Sequence, residues 1–164
     1  MLSQIDKKTL LEKIREHTKA RLHGLTNSQR ISQAGAIHEE TRAEDPKDTR
    51  ATEASYLARG LAERAEHLET ELERLYAFVP PPMGPEDIVK PGALVRVEEE
   101  GAGETIYFLL PAGGGELVSL GGTRVRVLSP RSPIGQALVG REMGEEFTVD
   151  LPRGRMTFVI AELS

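Results

Sequence analysis

The sequence predicts an α+β protein in which an antiparallel helical coiled-coil hairpin precedes a small antiparallel β-sheet domain with one short helix. Glycine and proline are distributed unevenly, since residues 1–79 hold only three of the 16 glycines and one of the 10 prolines. Helix formers dominate this first part, and short β-rich runs between turn residues make up the rest. We therefore predict a helical domain at 1–79, a proline-rich linker at 80–91 and a sheet domain at 92–164.

The helical part has a regular apolar seam. Its members step by 4, 4, 3, 4 and 3 residues, which is coiled-coil spacing: Leu57, Leu61, Ala65, Leu68, Leu72 and Leu75. A less regular apolar stripe precedes it: Ile5, Leu11, Ile14, Leu22, Leu25, Ile31 and Ile37. One amphipathic helix of this length cannot bury its stripe alone, so we expect the two helices to fold back on each other.

The turn between the two helices is acidic, and we place it at residues 44–48. Asp45 suits the N-cap of the second helix, Pro46 its first position, and Asp48 its first turn. Asp45 and Asp48 are also three residues apart, which places them on one face of a helical turn. Two such carboxylates fit a hard divalent cation such as Mg²⁺. Helix capping and metal binding both remain open from these residues alone.

The second part alternates with the period of β-strands. Strands are predicted at five places: 93–97, 105–110, 123–127, 147–151 and 156–160. A short helix is predicted from Ser132 to Val139, with Gly140 at its end. Ser132 has no base partner evident in the sequence, so a capping role is favoured over nucleophilic catalysis.

Several classes of protein are excluded by what the sequence lacks. A net charge of −5 disfavours a general nucleic-acid coat protein, and the absence of Cys removes disulfides and thiolate sites. The sequence has neither a phosphate-binding Gly-Lys-Ser/Thr loop nor a Gly-x-Ser-x-Gly elbow. Four histidines lie in the helical part without metal-ligand spacing: His17, His23, His38 and His67. We find no signal peptide or membrane span, so a cytoplasmic protein is expected.

One stretch resembles a known family. Ser132-Pro133-Ile134-Gly135-Gln136-Ala137-Leu138-Val139-Gly140-Arg141, with Gly144 and the strand after it, is similar to the C-terminal signature of bacterial Gre transcript-cleavage factors. Glu44-Asp45-Pro46-Lys47-Asp48, followed by Glu53 and Tyr56, is similar to the tip of the Gre coiled coil. The resemblance covers most of residues 40–164 and implies a coiled-coil finger with an FKBP-like globular domain.

The resemblance implies an accessory factor of bacterial RNA polymerase that is not an enzyme itself and stimulates the polymerase's own nucleolytic activity. The globular domain would dock beside the secondary channel through Arg131, Ser132 and Pro133, and the finger would enter the channel. Asp45 and Asp48, with Glu44 as an auxiliary, would help to hold a Mg²⁺ ion shared with the polymerase, so that backtracked RNA is cleaved. The free protein would be a monomer without a cofactor and without membrane contact. It would meet the nascent RNA 3′ end and DNA only through the elongation complex.

Two alternatives remain open. Asp48 stands where the family usually has the longer Glu, and Arg50 is placed to pair with a tip carboxylate. These departures favour a channel-binding regulator that modulates or inhibits polymerase without promoting cleavage. The other alternative is a coiled-coil interaction module whose partner is not polymerase.

Overall fold

The computed structural model describes residues 2–40 and 49–164. A 3₁₀ turn at Leu2–Gln4 precedes three α-helices: α1 (Lys7–Glu40), α2 (Thr49–Ala77) and α3 (Pro133–Leu138). Six β-strands form the rest of the regular structure: β1 (Leu94–Glu99), β2 (Gly103–Leu109), β3 (Leu117–Leu120), β4 (Thr123–Leu128), β5 (Glu146–Leu151) and β6 (Gly154–Leu163). No helix in these ranges is long and apolar enough to cross a membrane.

The chain forms two compact units. One unit is Glu16–Glu73, a helical hairpin made of most of α1 and α2. The other unit combines the chain through Arg15 with Arg74–Ser164, and it contains the sheet. The beginning of α1 and the end of α2 are therefore part of the sheet unit.

The hairpin unit buries a narrow seam. Thr18 on α1 and Ala65 and Leu68 on α2 are buried, as the coiled-coil spacing of α2 predicts. By contrast, Leu57 is 58% exposed and Ile31 is 66% exposed. Ile31 follows Leu25 by six residues, which rotates it by about 120° away from the Leu25 stripe. The upstream stripe is thus less continuous than its composition suggests.

The sheet has six strands in the order β3-β4-β2-β1-β6-β5. Hairpins join β1 to β2 and β5 to β6. The pair β2–β4 is parallel, so the sheet is mixed although its other pairs are antiparallel. The α+β class and the helical hairpin followed by a sheet with one short helix are confirmed, and the strand β3 is an addition to the five predicted.

One face of the sheet is covered by the ends of the long helices. Leu10, Leu11 and Ile14 of α1 and Leu75 of α2 pack in one core with strand residues. The strand residues in this core alternate along β1, β2 and β4, as expected for one face of a pleated sheet: Leu94, Ile106, Phe108, Val125 and Val127. The apolar residues at the start of α1 therefore serve the sheet as well as the helix pair.

The opposite face of the sheet holds a second core. Here Phe147 of β5 stacks on Phe158 of β6, with ring centroids 5.3 Å apart. Leu138 of α3 and Val89, within the predicted linker, belong to the same core. The proline-rich segment is thus not a free spacer along its whole length, because Val89 is fully buried. The domain boundaries at 79, 80–91 and 92 stay predictions.

Candidate functional site

The acidic segment predicted to hold a metal lies outside the described residues. Glu44, Asp45 and Asp48 fall between the last residue of α1, Glu40, and the first residue of α2, Thr49. The chain thus carries these carboxylates in the connection of the helical hairpin. Their roles as metal ligands and as catalytic helpers stay predictions.

The second predicted site, at residues 131–133, is built on the start of α3. The Ser132 hydroxyl accepts a hydrogen bond from Gly135 N at 3.1 Å and donates one to Ser129 O at 2.7 Å. Ser132 is therefore the N-cap of α3, and Pro133 occupies the first helical position, where it costs no hydrogen bond. The predicted capping role of Ser132 is confirmed.

The loop before α3 is tightly closed on itself. Ser132 N donates to Ser129 O, and Arg131 N donates to the Ser129 hydroxyl. Gly135 lies against the same carbonyl, so that a Cβ added to Gly135 would stand 2.1 Å from Ser129 O. Only glycine fits this approach, which explains the residue type at that position of the signature.

This closure turns the first residues of the loop outward. Arg131 and Pro133 are exposed, and Ser132 is partly buried. The Arg131 carbonyl accepts a hydrogen bond from Gln136 Nε2 at 2.8 Å, which fixes the backbone beneath the guanidinium. The three residues predicted to bind a partner therefore form a short, rigid, partly cationic surface.

The end of α3 is held by the segment that precedes β1. Val89 N donates to Arg141 O, and Gly140 N donates to Val89 O, each at 2.8 Å. Gly140 has a φ of +86°, the left-handed conformation expected of a glycine that ends a helix. Nearby, Asp87 accepts a hydrogen bond from Gly84 N, which together with Lys90 lowers the pKa of its carboxyl group. The end of α3 is thus fixed by backbone hydrogen bonds, and its start is fixed by the Ser132 cap.

Arg15 of α1 is a residue that sequence reasoning missed. Its Nη2 donates to Leu75 O at 2.7 Å and to Phe78 O at 3.2 Å, where α2 ends. Its guanidinium also lies over the Tyr76 ring, 5.1 Å from the centroid. A cation that caps exposed carbonyls stabilises a helix end through hydrogen bonds and through the helix dipole. No side-chain pattern reveals such a contact, because the partners are backbone atoms.

The histidines offer no alternative metal site. His17, His23, His38 and His67 are all exposed on the long helices, as predicted. Across residues 2–40 and 49–164, no three His, Asp or Glu side chains are grouped so that they could hold a metal ion.

Known proteins resemble the chain along most of its length. Residues 84–164 match the family described as transcription elongation factor GreA/GreB, C-terminal part. The transcription elongation factor GreA of Desulfovibrio desulfuricans is 33% identical over 130 residues, which cover 79% of this chain and 76% of that protein.

Solved structures of two transcription factors also align with this chain. The GreA/GreB factor of Nitrosomonas europaea is 26% identical, covers 69% of this chain and 92% of its own, and has a TM-score of 0.38. The transcription factor Gfh1 is 21% identical, covers 91% of this chain and 92% of its own, and has a TM-score of 0.41. The sequence matches are extensive enough to decide the family: this chain belongs to the GreA/GreB transcription elongation factors.

Proposed function

We propose that this elongation factor binds bacterial RNA polymerase at the secondary channel and stimulates cleavage of backtracked RNA. The observation that carries the proposal is the position of the acidic segment in a Gre-family chain. The connection between α1 and α2 contains Glu44, Asp45 and Asp48. In sequence, this connection is the part of a helical hairpin that is farthest from both of the hairpin's chain ends. The same acidic segment is the part of the chain that the family resemblance assigns to the tip of the coiled coil.

The donor set fits Mg²⁺. Asp45 and Asp48 supply carboxylate oxygens, the hard ligands that this ion prefers, and Glu44 is an auxiliary donor. These residues would help to hold one of the two ions of a two-metal nucleolytic site, where the pair of ions would stabilise the attacking and the leaving oxygen. Two carboxylates alone hold Mg²⁺ weakly, because the ion gives up its waters reluctantly. We therefore assign the ion to a site shared with the polymerase, and we expect the free protein to hold none.

The loop at residues 131–133 is the proposed docking surface. The Ser132 cap and the close approach of Gly135 fix the backbone there, so little conformational entropy is lost on binding. Arg131 supplies an exposed cation for an acidic patch on the polymerase. On this assignment the factor makes no bond-breaking step of its own, and it works in the cytoplasm, where the polymerase transcribes.

An assay of binding to core RNA polymerase tests the docking part of the proposal. The protein should bind core polymerase, and R131E should weaken this binding about tenfold, since a rim cation facing an acidic patch is reversed. R74E is the matched control, because Arg74 is also an exposed arginine but lies in α2 and not in the loop before α3. Absence of binding by the wild type would overturn the proposal.

The alternative is a regulator that occupies the channel without promoting cleavage. Arg50 favours this alternative. It follows Asp48 by two residues in the sequence, and a cation that pairs with a tip carboxylate would neutralise it. Such a regulator would displace a cleavage-competent Gre factor from polymerase and would leave backtracked transcripts at full length. R50A would then convert it into a cleavage-stimulating factor.

A further inference from the structure

The sheet is forked between β2 and β4. These strands pair over only three residues, from Tyr107–Arg126 to Leu109–Leu128. Before that point, Gly103–Ile106 pairs with β1, and Thr123–Val125 pairs with β3. Within the described chain, each of these two segments therefore has one strand edge without a ladder partner. Such an edge is a template for an added strand.

A cleft of about 350 Å³ occupies the fork. Its walls come from the diverging strands and from β3: Glu104, Thr105, Ile106, Leu117, Thr123, Arg124 and Arg126. Leu117 is 47% exposed although it is a large apolar residue. The cleft thus offers open backbone edges together with some apolar surface.

The cleft is also cationic. The side chains of Arg124 and Arg126 are exposed and, among the residues that the structure describes, form no hydrogen bond or ion pair. Glu104 does not neutralise them, because its carboxylate is bound by Arg96 Nη1 at 2.8 Å. Two unpaired guanidinium groups therefore line one opening of a protein whose net charge is −5.

We propose that this fork binds an extended acidic segment of a protein partner by strand addition. Arg124 and Arg126 lie two positions apart on β4, so both point to the same face of the sheet. A strand with carboxylates at alternate positions would oppose them in register, while its backbone pairs with the open edge. Bidentate hydrogen bonds between a guanidinium and a carboxylate give such a site its selectivity for Asp and Glu.

The site is distinct from the loop at residues 131–133. The fork lies where β4 begins, and that loop follows the end of β4. The inference does not depend on transcript cleavage, because neither the acidic connection nor a metal ion takes part. Failure of the fork to bind would leave the proposed function intact, and loss of cleavage activity would leave the fork intact.

Titration with a blocked peptide of alternating Glu and Val residues tests the proposal. The full chain should bind it, and R124Q/R126Q should bind it at least tenfold more weakly. The control R64Q/R74Q removes the same charge from exposed arginines of α2, and it should bind like the wild type. R124K/R126K should retain part of the affinity, which separates a charge effect from a failure to fold.

Two further measurements make the outcome decisive: the chemical shifts of backbone amides, and the binding of control variants and other ligands. Backbone amide resonances of Thr105 and Arg124 should shift on binding, whereas a peptide with Gln in place of Glu should leave them unchanged. Equal weakening by R64Q/R74Q would overturn the proposal in favour of non-specific charge attraction. Preferential binding of a single-stranded RNA oligonucleotide to the fork would overturn it in favour of a nucleic-acid site.

Discussion

The guanidinium of Arg15 donates two hydrogen bonds to the carbonyl oxygen of Leu75, from Nε at 3.0 Å and from Nη2 at 2.7 Å. The two residues are 60 positions apart, and both lie in the sheet unit, next to its boundary with the hairpin unit. Leu75 is at the same time fully buried in the core beneath the sheet. Arg15 therefore caps α2 at the point where its last turn enters that core.

We predict that R15M lowers the free energy of unfolding by about 2–3 kcal/mol, because carbonyls at the end of α2 lose a charged donor. R15K should lie between R15M and the wild type, since an ammonium cannot bridge several carbonyls as a guanidinium does. Urea denaturation followed by circular dichroism measures the change. R74M, at an exposed arginine of α2, is the control and should stay within about 0.5 kcal/mol of the wild type. Equal stability of R15M and R74M would contradict the capping role.

Gly135 should tolerate no side chain. The Cβ of alanine would stand 2.1 Å from Ser129 O, so G135A must displace the loop before α3. We expect a loss of about 3 kcal/mol, the upper part of the range for overpacking. S132A removes only the cap and should cost about 1 kcal/mol. Thermal unfolding of both variants checks this order, and a G135A protein as stable as S132A would show that the loop yields without strain.

Glycines in the long helices should respond in the opposite direction. Gly24 in α1 and Gly60 in α2 have open space where a Cβ would stand. Alanine has the higher helix propensity, so G24A and G60A should each raise the free energy of unfolding by about 0.5–1 kcal/mol. The same denaturation measurement tests both variants. A lower stability of either would mean that a bend at that glycine is needed.

The start of α1 should give an acid-dependent stability. Hydrogen bonds from the Thr9 hydroxyl and from the N–H groups of Lys8 and Thr9 lower the pKa of Asp6 below its ordinary value of 3.8. Because the folded-state pKa is lower than the unfolded one, the contribution is complete above about 3.8 and is lost as the pH falls through the lowered value.

The variant D6N isolates this effect, since asparagine caps a helix about as well as aspartate but does not titrate in this range. Melting temperatures of the wild type and D6N should therefore converge as the pH is lowered from 6 towards 2. T9V removes the hydroxyl donor and should move the transition of Asp6 to a higher pH. A constant difference between the wild type and D6N across this range would contradict the assignment.

Local patterns in the sequence predict much of this fold. Val95 and Val97 flank Arg96 and lie on one buried face of the sheet, and Val125 and Val127 flank Arg126 and lie on the other. Ser132 and Gly140 sit at the ends of α3 as their residue types indicate, because capping depends on neighbours in the sequence. The strand β3 escapes prediction because it has four residues, of which Val118 alone is buried.

Contacts between distant segments could not be predicted in the same way. The parallel pairing of β2 with β4 depends on register across the whole sheet, and the fork follows from it. Arg15 and Arg96 look like any charged residues in sequence, although the first caps α2 and the second binds Glu162 on β6. Leu11 and Ile14 fit a helical stripe, and only the fold shows that they also cover the sheet.

The central claim is that Asp45 and Asp48 supply carboxylates to the polymerase active site. The most direct measurement is the rate of RNA shortening in a stalled, backtracked elongation complex with polymerase from the same organism. E69Q/E73Q is the matched control, because it neutralises two exposed glutamates of α2. We predict shortening by the wild type and by E69Q/E73Q, and none by D45N/D48N although it still binds polymerase. Full-length RNA with the wild type, or equal cleavage by D45N/D48N, would contradict the claim.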